Sequence, residues 1–220
     1  MITDIELAKM SHAINLRLSY YVAISYANLL AESSIRYPIV EYLERRLGYK
    51  TIKLEHEHEV FKRKRCDLYV ERKKGNETEK IIFEFKYVRD NTSTLFQDYF
   101  DDLLRLHYLH EKGIQSLFVV CGNPINFNNQ FRRIKSRTVQ LGNKNGRPCG
   151  VFSQILSFSI GNPNKRFSVN DYRSNYRDFR SHYEFIDDDI LHPDDLIIQT
   201  RLISLIYKDG QQSVGIWEVT

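Results

Sequence analysis

No stretch of this 220-residue chain is apolar over the length that a bilayer-spanning helix needs, so no membrane span is expected. Asp4, Glu6, Lys9 and Arg17 interrupt every apolar run near the start, which predicts no secretory leader. Cysteine is scarce. Cys66, Cys121 and Cys149 are scattered and odd in number, which argues against a disulfide framework and for a reducing, cytoplasmic setting. Zinc-ligand spacing is missing as well. His56-Glu57-His58 would put two histidines on one face of a strand, but no Cys or His cluster completes a site. Repeats and low-complexity tracts are absent, and the length fits one domain with an elaboration.

Charge is nearly balanced overall, with a net +4 and an isoelectric point near 8.8. Its distribution is uneven. Lys62, Arg63, Lys64, Arg65, Arg72, Lys73 and Lys74 face only Asp67 and Glu71 between 62 and 74. Residues 128–180 carry eleven Lys and Arg, among them Arg132, Arg133, Lys135 and Arg137, against Asp171 and Asp178. Phe131, Phe152, Phe158, Phe167, Tyr172, Tyr176 and Phe179 are interleaved with them. Clustered cations are the footprint of phosphate-backbone binding. A solvated surface whose aromatics serve the core would look the same. The acidic run 184–195 reads as a solvated loop.

What the chain does have is a pair of strand-type runs, Arg65–Val70 and Ile81–Tyr87, joined by a charged turn over 71–79 with Gly75-Asn76 at its tip. Side chains alternate along a strand. Ile81, Phe83, Phe85 and Tyr87 therefore form an apolar face, while Ile82, Glu84 and Lys86 share the other. Glu84 and Lys86 stand roughly 6.5–7 Å apart along the strand. Antiparallel pairing would bring Asp67 near Glu84. Charged residues alternating with apolar ones also mark any half-exposed strand.

The elements around them follow in a definite order. A helix is expected over about 34–47, with Ser33-Ser34 as its cap, Pro38 in its first turn and Gly48 as its stop. Strands follow at 49–57 and at the two runs above. A helix over about 94–112 carries Leu95, Tyr99, Leu103, Leu106 and Leu109 at helical spacing and ends at Gly113. Ser116–Cys121 reads as a buried strand.

This Asp, hairpin, Glu-x-Lys pattern resembles the PD-(D/E)xK nuclease superfamily, with Asp67, Glu84 and Lys86 at its motif positions and Cys66 where a proline is usual. The resemblance covers about 30–122. It implies an α/β fold with a restriction-endonuclease-like core: a mixed central sheet flanked by helices in the order α-β-β-β-α-β. It also implies a Mg²⁺-dependent nuclease, with Mn²⁺ substituting, that hydrolyses DNA and leaves a 5′-phosphate. Asp67, Glu84 and the backbone carbonyl of Phe85 would ligate the metal, and Lys86 would orient the attacking water. Many members add a Glu from the first helix. Glu32 and Glu41 compete for that role. If the helix reaches back to Glu32, that residue lies about 20° from Ile39 on the buried stripe, whereas Glu41 lies about 200° away and faces solvent. Gln97, at the start of the next helix, is a possible accessory residue or an exposed helix-start glutamine, and Asp98, Asp101 and Asp102 read as ordinary first-turn acids.

In outline, 1–31 is a helical N-terminal segment that caps the core or forms a homodimer surface, 32–122 the catalytic core, and 123–220 a basic elaboration. The last part is expected to hold loops around a short basic helix near 128–136, a strand over 150–160, and a C-terminal β-hairpin of 197–207 and 212–219. Lys62–Arg65 together with Arg132, Arg133, Lys135 and Arg137 would contact nucleic acid. A catalytically inactive nucleic-acid-binding or assembly module of the same fold is the rival reading, and an RNA-directed nuclease is a third.

Overall fold

The computed structural model describes residues 1–88, 96–131, 155–184, 196–207 and 211–220. Helix α1 (Asp4–Ala23) opens the chain, and a 3₁₀ turn (Ala27–Leu29) leads into α2 (Glu32–Leu47). Strands β1 (Thr51–Glu57), β2 (Arg65–Lys74) and β3 (Glu77–Val88) follow, then α3 (Phe96–Glu111), β4 (Gln115–Gly122) and α4 (Pro124–Phe131). The remainder holds β5 (Asn164–Ser168), a 3₁₀ turn (Val169–Tyr172), α5 (Arg173–His182), β6 (Ile197–Ile206) and β7 (Ser213–Val219).

One mixed seven-stranded sheet runs β1-β2-β3-β4-β7-β6-β5. Its one parallel contact among the described residues, β3 with β4, requires a crossover, and α3 supplies it. All other neighbours are antiparallel. The molecule is thus α/β with helices on both faces. The order α-β-β-β-α-β from α2 to β4 is present as expected.

Alternation decides which side chains meet which helices. Ile81, Phe83 and Phe85 join Leu68, Val70, Leu117 and Val119 beneath α1 and α2. Ile82 joins Phe118, Val120 and Trp217 beneath α3 and α5. Tyr99, Leu103, Leu106 and Leu109 of α3 are fully buried, and the helix ends at Gly113 with a positive φ of 78°. Helix α1 opens with a reciprocal Thr3–Glu6 cap and buries Leu7, Met10, Ile14 and Leu18. It packs on α2, β6 and β7, so it caps the core. Ile5, Leu16, Tyr20 and Leu29 stay exposed, which narrows its apolar face to a single stripe.

Several expectations need correction. Helix α2 begins at Glu32, so Ser33-Ser34 does not cap it; Ser34 lies inside the first turn, where its hydroxyl accepts from the Ala31 amide. Pro38 is the helix's seventh residue, in the second turn, where it leaves the Ser34 carbonyl without the usual amide. The charged turn shrinks to Gly75-Asn76, because Arg72 pairs across to Glu79 at 2.8 Å and Lys74 opposes Glu77, extending both strands outward. Residues 155–160 are not a strand. Ile155 and Leu156 plug the core, while the Ile155 carbonyl accepts from the Thr200 hydroxyl of β6 and the Ser157 carbonyl from the Trp217 indole of β7. Strand β5 and helix α5 stand where only a basic region was read. The described aromatics of that region, Phe131, Phe158, Phe167, Tyr172, Tyr176 and Phe179, pack in the core and not on a surface. Among the described residues no helix is long and apolar enough to cross a membrane. The expected tip of the C-terminal hairpin lies outside the described residues, but β6 and β7 do pair antiparallel.

Gly215 faces the Trp217 ring so closely that an added Cβ would come within 2.1 Å of it. Gly215→Ala should therefore lower the urea midpoint at unchanged slope, by about 1–3 kcal/mol of overpacking. Gly161→Ala, whose Cβ would meet an ordinary contact at 3.8 Å, should stay within about 0.5 kcal/mol of the parent.

Candidate active site at the fork of two strands

Strands β2 and β3 pair in continuous register from the Lys74–Glu77 end as far as Leu68 opposite Phe83, and there they part. The ladder between β1 and β2 is also interrupted at this point. Leu54 opposes Leu68 and His56 opposes Cys66, but Glu55, with φ of 49°, and Asp67 between them do not pair. The chain turns over at Asp67: Leu68 and Val70 point under α2, yet Cys66 points to the opposite cluster. In the fork the Asp67 carboxylate replaces a backbone acceptor. Its Oδ2 takes the Phe85 amide at 2.8 Å. Residues that pair across a sheet present amide and carbonyl to the same neighbour, so the Phe85 carbonyl lies on the Asp67 side as well.

Glu84 is buried beside this fork, 3% exposed, and hydrogen-bonds to Asp67. Arg105 of α3 reaches it at 3.2 Å. The same guanidinium is paired with Asp102, and Asp102 Oδ2 stands 2.8 Å from the Lys86 ammonium. On the other side Arg36 of α2 holds Asp67 and Glu55, each at 2.5 Å. Glu32, at the first turn of α2 and half-buried, interacts electrostatically with Lys86 and Asp67, whereas Glu41 is exposed and paired with Arg45. Glu32, Asp67, Glu84 and Lys86 thus occupy one locus, joined by Arg36, Asp102 and Arg105.

The electrostatics follow from burial and crowding. Burial pushes the Glu84 carboxyl well above its ordinary 4.5; Arg105 opposes this, while Asp102 and Asp67 add to it. Burial likewise raises Glu32, partly offset by Lys86. For Lys86 burial works the other way, but Asp102, Glu32 and Glu84 outweigh it and hold the ammonium above its usual value. Asp101, beside Asp102, is raised by burial to about 6.

Asp67 and Glu84 offer hard oxygen ligands of the kind Mg²⁺ takes, and a cation there would offset the burial that raises Glu84. Among the described residues no three His, Cys, Asp or Glu side chains stand close enough to hold a metal together, and Arg36 and Arg105 are paired with Asp67 and Glu84. The donor chemistry fits a divalent cation, with the Phe85 carbonyl, Glu32 and water to complete its shell.

The remaining candidates fall as follows. Gln97 is neither exposed nor part of this cluster; it binds Asp101 at 2.6 Å and exchanges hydrogen bonds with Asn175, tying α3 to α5. Lys62, Arg63 and Arg65 are exposed in and just after the β1–β2 loop, while the Lys64 ammonium sits 4.4 Å over the Tyr183 ring. The Tyr183 hydroxyl accepts from Arg105 at 2.9 Å, so the basic loop reaches the cluster through one tyrosine. Arg132, Arg133, Lys135 and Arg137 lie outside the described residues. His56 packs against the Tyr69 ring at a tilt, and the buried His58 accepts from the amides of Val60 and Phe61.

Asp102 is not an ordinary first-turn acid, and the sequence carried a sign of it. It lies three residues after Tyr99, four before Leu106 and seven before Leu109, on the buried stripe, as does Arg105. Arg36 was detectable too, four residues after Glu32 on the same helix face. No family model, curated protein or solved structure matches the chain.

Glu84 gives a signed pH test in metal-free buffer. Its raised folded-state pKa makes its stabilising contribution complete below about 4.5 and lost as pH rises through the raised value. Glu84→Gln should hence be the more stable protein at pH 8, with a flatter stability profile between pH 5 and 8, measured by thermal melts in EDTA. Asp102→Ala should do the reverse, losing about 3–5 kcal/mol by stranding Lys86 and Arg105.

Proposed function

We propose that this chain is a metal-dependent nuclease of restriction-endonuclease-like fold that hydrolyses DNA phosphodiester bonds. The observation that carries the reading is the meeting of Glu32, Asp67 and Glu84 at the β2–β3 fork beside Lys86, whose ammonium is held charged by Asp102, Glu32 and Glu84. The element order around the fork and the basic loop 62–65 next to it support the same reading.

Asp67, Glu84, the Phe85 carbonyl and Glu32 would hold Mg²⁺ or Mn²⁺. The cation would neutralise phosphate charge and lower the pKa of a coordinated water. Lys86 orients that water and meets the negative charge that develops at phosphorus. Asp102 fixes the Lys86 ammonium in place, and Arg105 fixes the Glu84 carboxyl. Arg36 pairs with Asp67 and would offset its negative charge when no cation is bound. Lys62, Arg63 and Arg65 are exposed to draw in the phosphate backbone.

The ion pairs of Asp67 with Arg36 and of Glu84 with Arg105 favour a second reading, a binding or assembly module whose site is a salt-bridge network. Cleavage of mixed DNA substrates separates the two. With Mg²⁺ or Mn²⁺ the wild type should cut, and Asp67→Ala and Lys86→Ala should each lose about 10²-fold or more. Absence of metal-dependent cleavage, or equal activity in the variants, would sink the nuclease reading. Salt-sensitive binding without cleavage would favour the module, and cleavage confined to RNA would move the substrate class.

A further inference from the structure

A second polar cavity, of about 390 Å³, opens at the carboxyl ends of the two parallel strands, beside Tyr87 and Val88 of β3 and Asn123 after β4. That end of a parallel strand pair is where open α/β sheets place ligands. Of its β3 residues, Val88 shares the face of Lys86 two residues on, roughly 6.5–7 Å along the strand, while Tyr87 points to the opposite face. Leu30, also in its wall, lies two residues before Glu32. Cavity and fork therefore share one edge of the molecule.

The lining chemistry is narrow. Asn28, Asn123, Asn126 and Gln212 contribute amides, and among the described residues no Lys, Arg, Asp or Glu takes part. Amides present a donor and an acceptor side by side, the pattern that reads nucleobase edges, whereas a phosphate would call for cations. Gln212 is 5% exposed and held from several sides. Its backbone amide donates to the Ser19 hydroxyl at 3.1 Å, its backbone carbonyl accepts from Asn15, and its Oε1 accepts from the Tyr87 hydroxyl at 2.8 Å. Its side-chain NH₂ has no partner among the described residues and borders the cavity. Leu30, Val22 and the Tyr87 ring add apolar surface on which a base face can rest.

Resting on the nuclease reading above, we propose that this cavity takes an unstacked nucleobase of the strand being cut, read by Gln212 and Asn28. Extruding one base from the stack brings the adjoining phosphate toward the fork, two residues along β3 from Val88. The site selects for a base next to the scissile phosphate, and it favours substrate that is single-stranded or locally opened, where unstacking costs least.

The test uses the full-length protein and oligonucleotides with a single abasic site stepped across the cut position, alongside the same series carrying 2-aminopurine, in DNA and RNA versions. An abasic site at one position should raise KM about tenfold in the wild type. 2-Aminopurine there should change its emission on binding in EDTA. Gln212→Leu and Asn28→Ala should erase both effects while keeping cleavage of the abasic substrate; Asn28 is exposed on a 3₁₀ turn, so its variant guards against misfolding of the other. Cleavage with no position-dependent abasic effect overturns the subsite and leaves the nuclease reading standing. A position-dependent emission change without cleavage overturns the nuclease reading alone. Neither binding nor cleavage overturns both.

Discussion

A carboxylate standing in for a strand is the constraint on which the candidate site depends. At the point where β2 leaves β3, the Phe85 amide would face into the fold without a backbone acceptor, and Asp67 Oδ2 takes it at 2.8 Å. A buried amide without a partner costs about 1–3 kcal/mol, so this single contact stabilises an open fork in an otherwise continuous ladder. The fork does two things. It reverses the facing of the β2 chain between Cys66 and Leu68, and it leaves the edge of β3 beyond Phe83 unpaired with β2. Main-chain pairing stops there, and side chains take the place of the ladder.

What then fills the space is charge, and burying it is expensive. Glu32, Asp67, Glu84 and Asp102 are balanced against Arg36, Lys86 and Arg105, with Glu55 tied to Arg36 from outside. Such a network is weak as a source of stability, since apolar residues of similar volume would commonly serve the fold as well. Helix α3 aims Asp102 and Arg105 at the two motif residues of β3, and Tyr183 links Arg105 to the basic loop through Lys64. The fork thus gathers a positioned ammonium, a carboxyl raised by burial and a basic loop at one place.

Much of this was legible from periodicity. Two-residue alternation separated Phe83 and Phe85 from Glu84 and Lys86, and those faces do pack on opposite sides of the sheet. Helical phase put Glu32 inward and Glu41 outward. The same phase applied to α3 marks Asp102 and Arg105 as inward, yet the usual preference of acids for a helix start masked the signal. Pro38 misled in a similar way. Proline suggests a first turn, but the burial of Ile35 and Ile39 on one stripe extends α2 back to Glu32 and tolerates the lost hydrogen bond. Strand β5 and helix α5 went unread because their charged residues alternate with aromatics that belong to the core.

Local sequence therefore determined which side chains share a face, since the 2.0 and 3.6 periods are properties of the backbone. It determined the hairpin at Gly75, the helix stops at Gly48 and Gly113, and the inward turn of Glu32. Only the tertiary structure decided which charge meets which. Asp102 answers Lys86, Arg105 answers Glu84 and Arg36 answers Asp67 across gaps of 16, 21 and 31 residues. Those pairings depend on the rotation of α2 and α3 over the sheet, which is set by apolar packing of residues that carry no chemistry themselves.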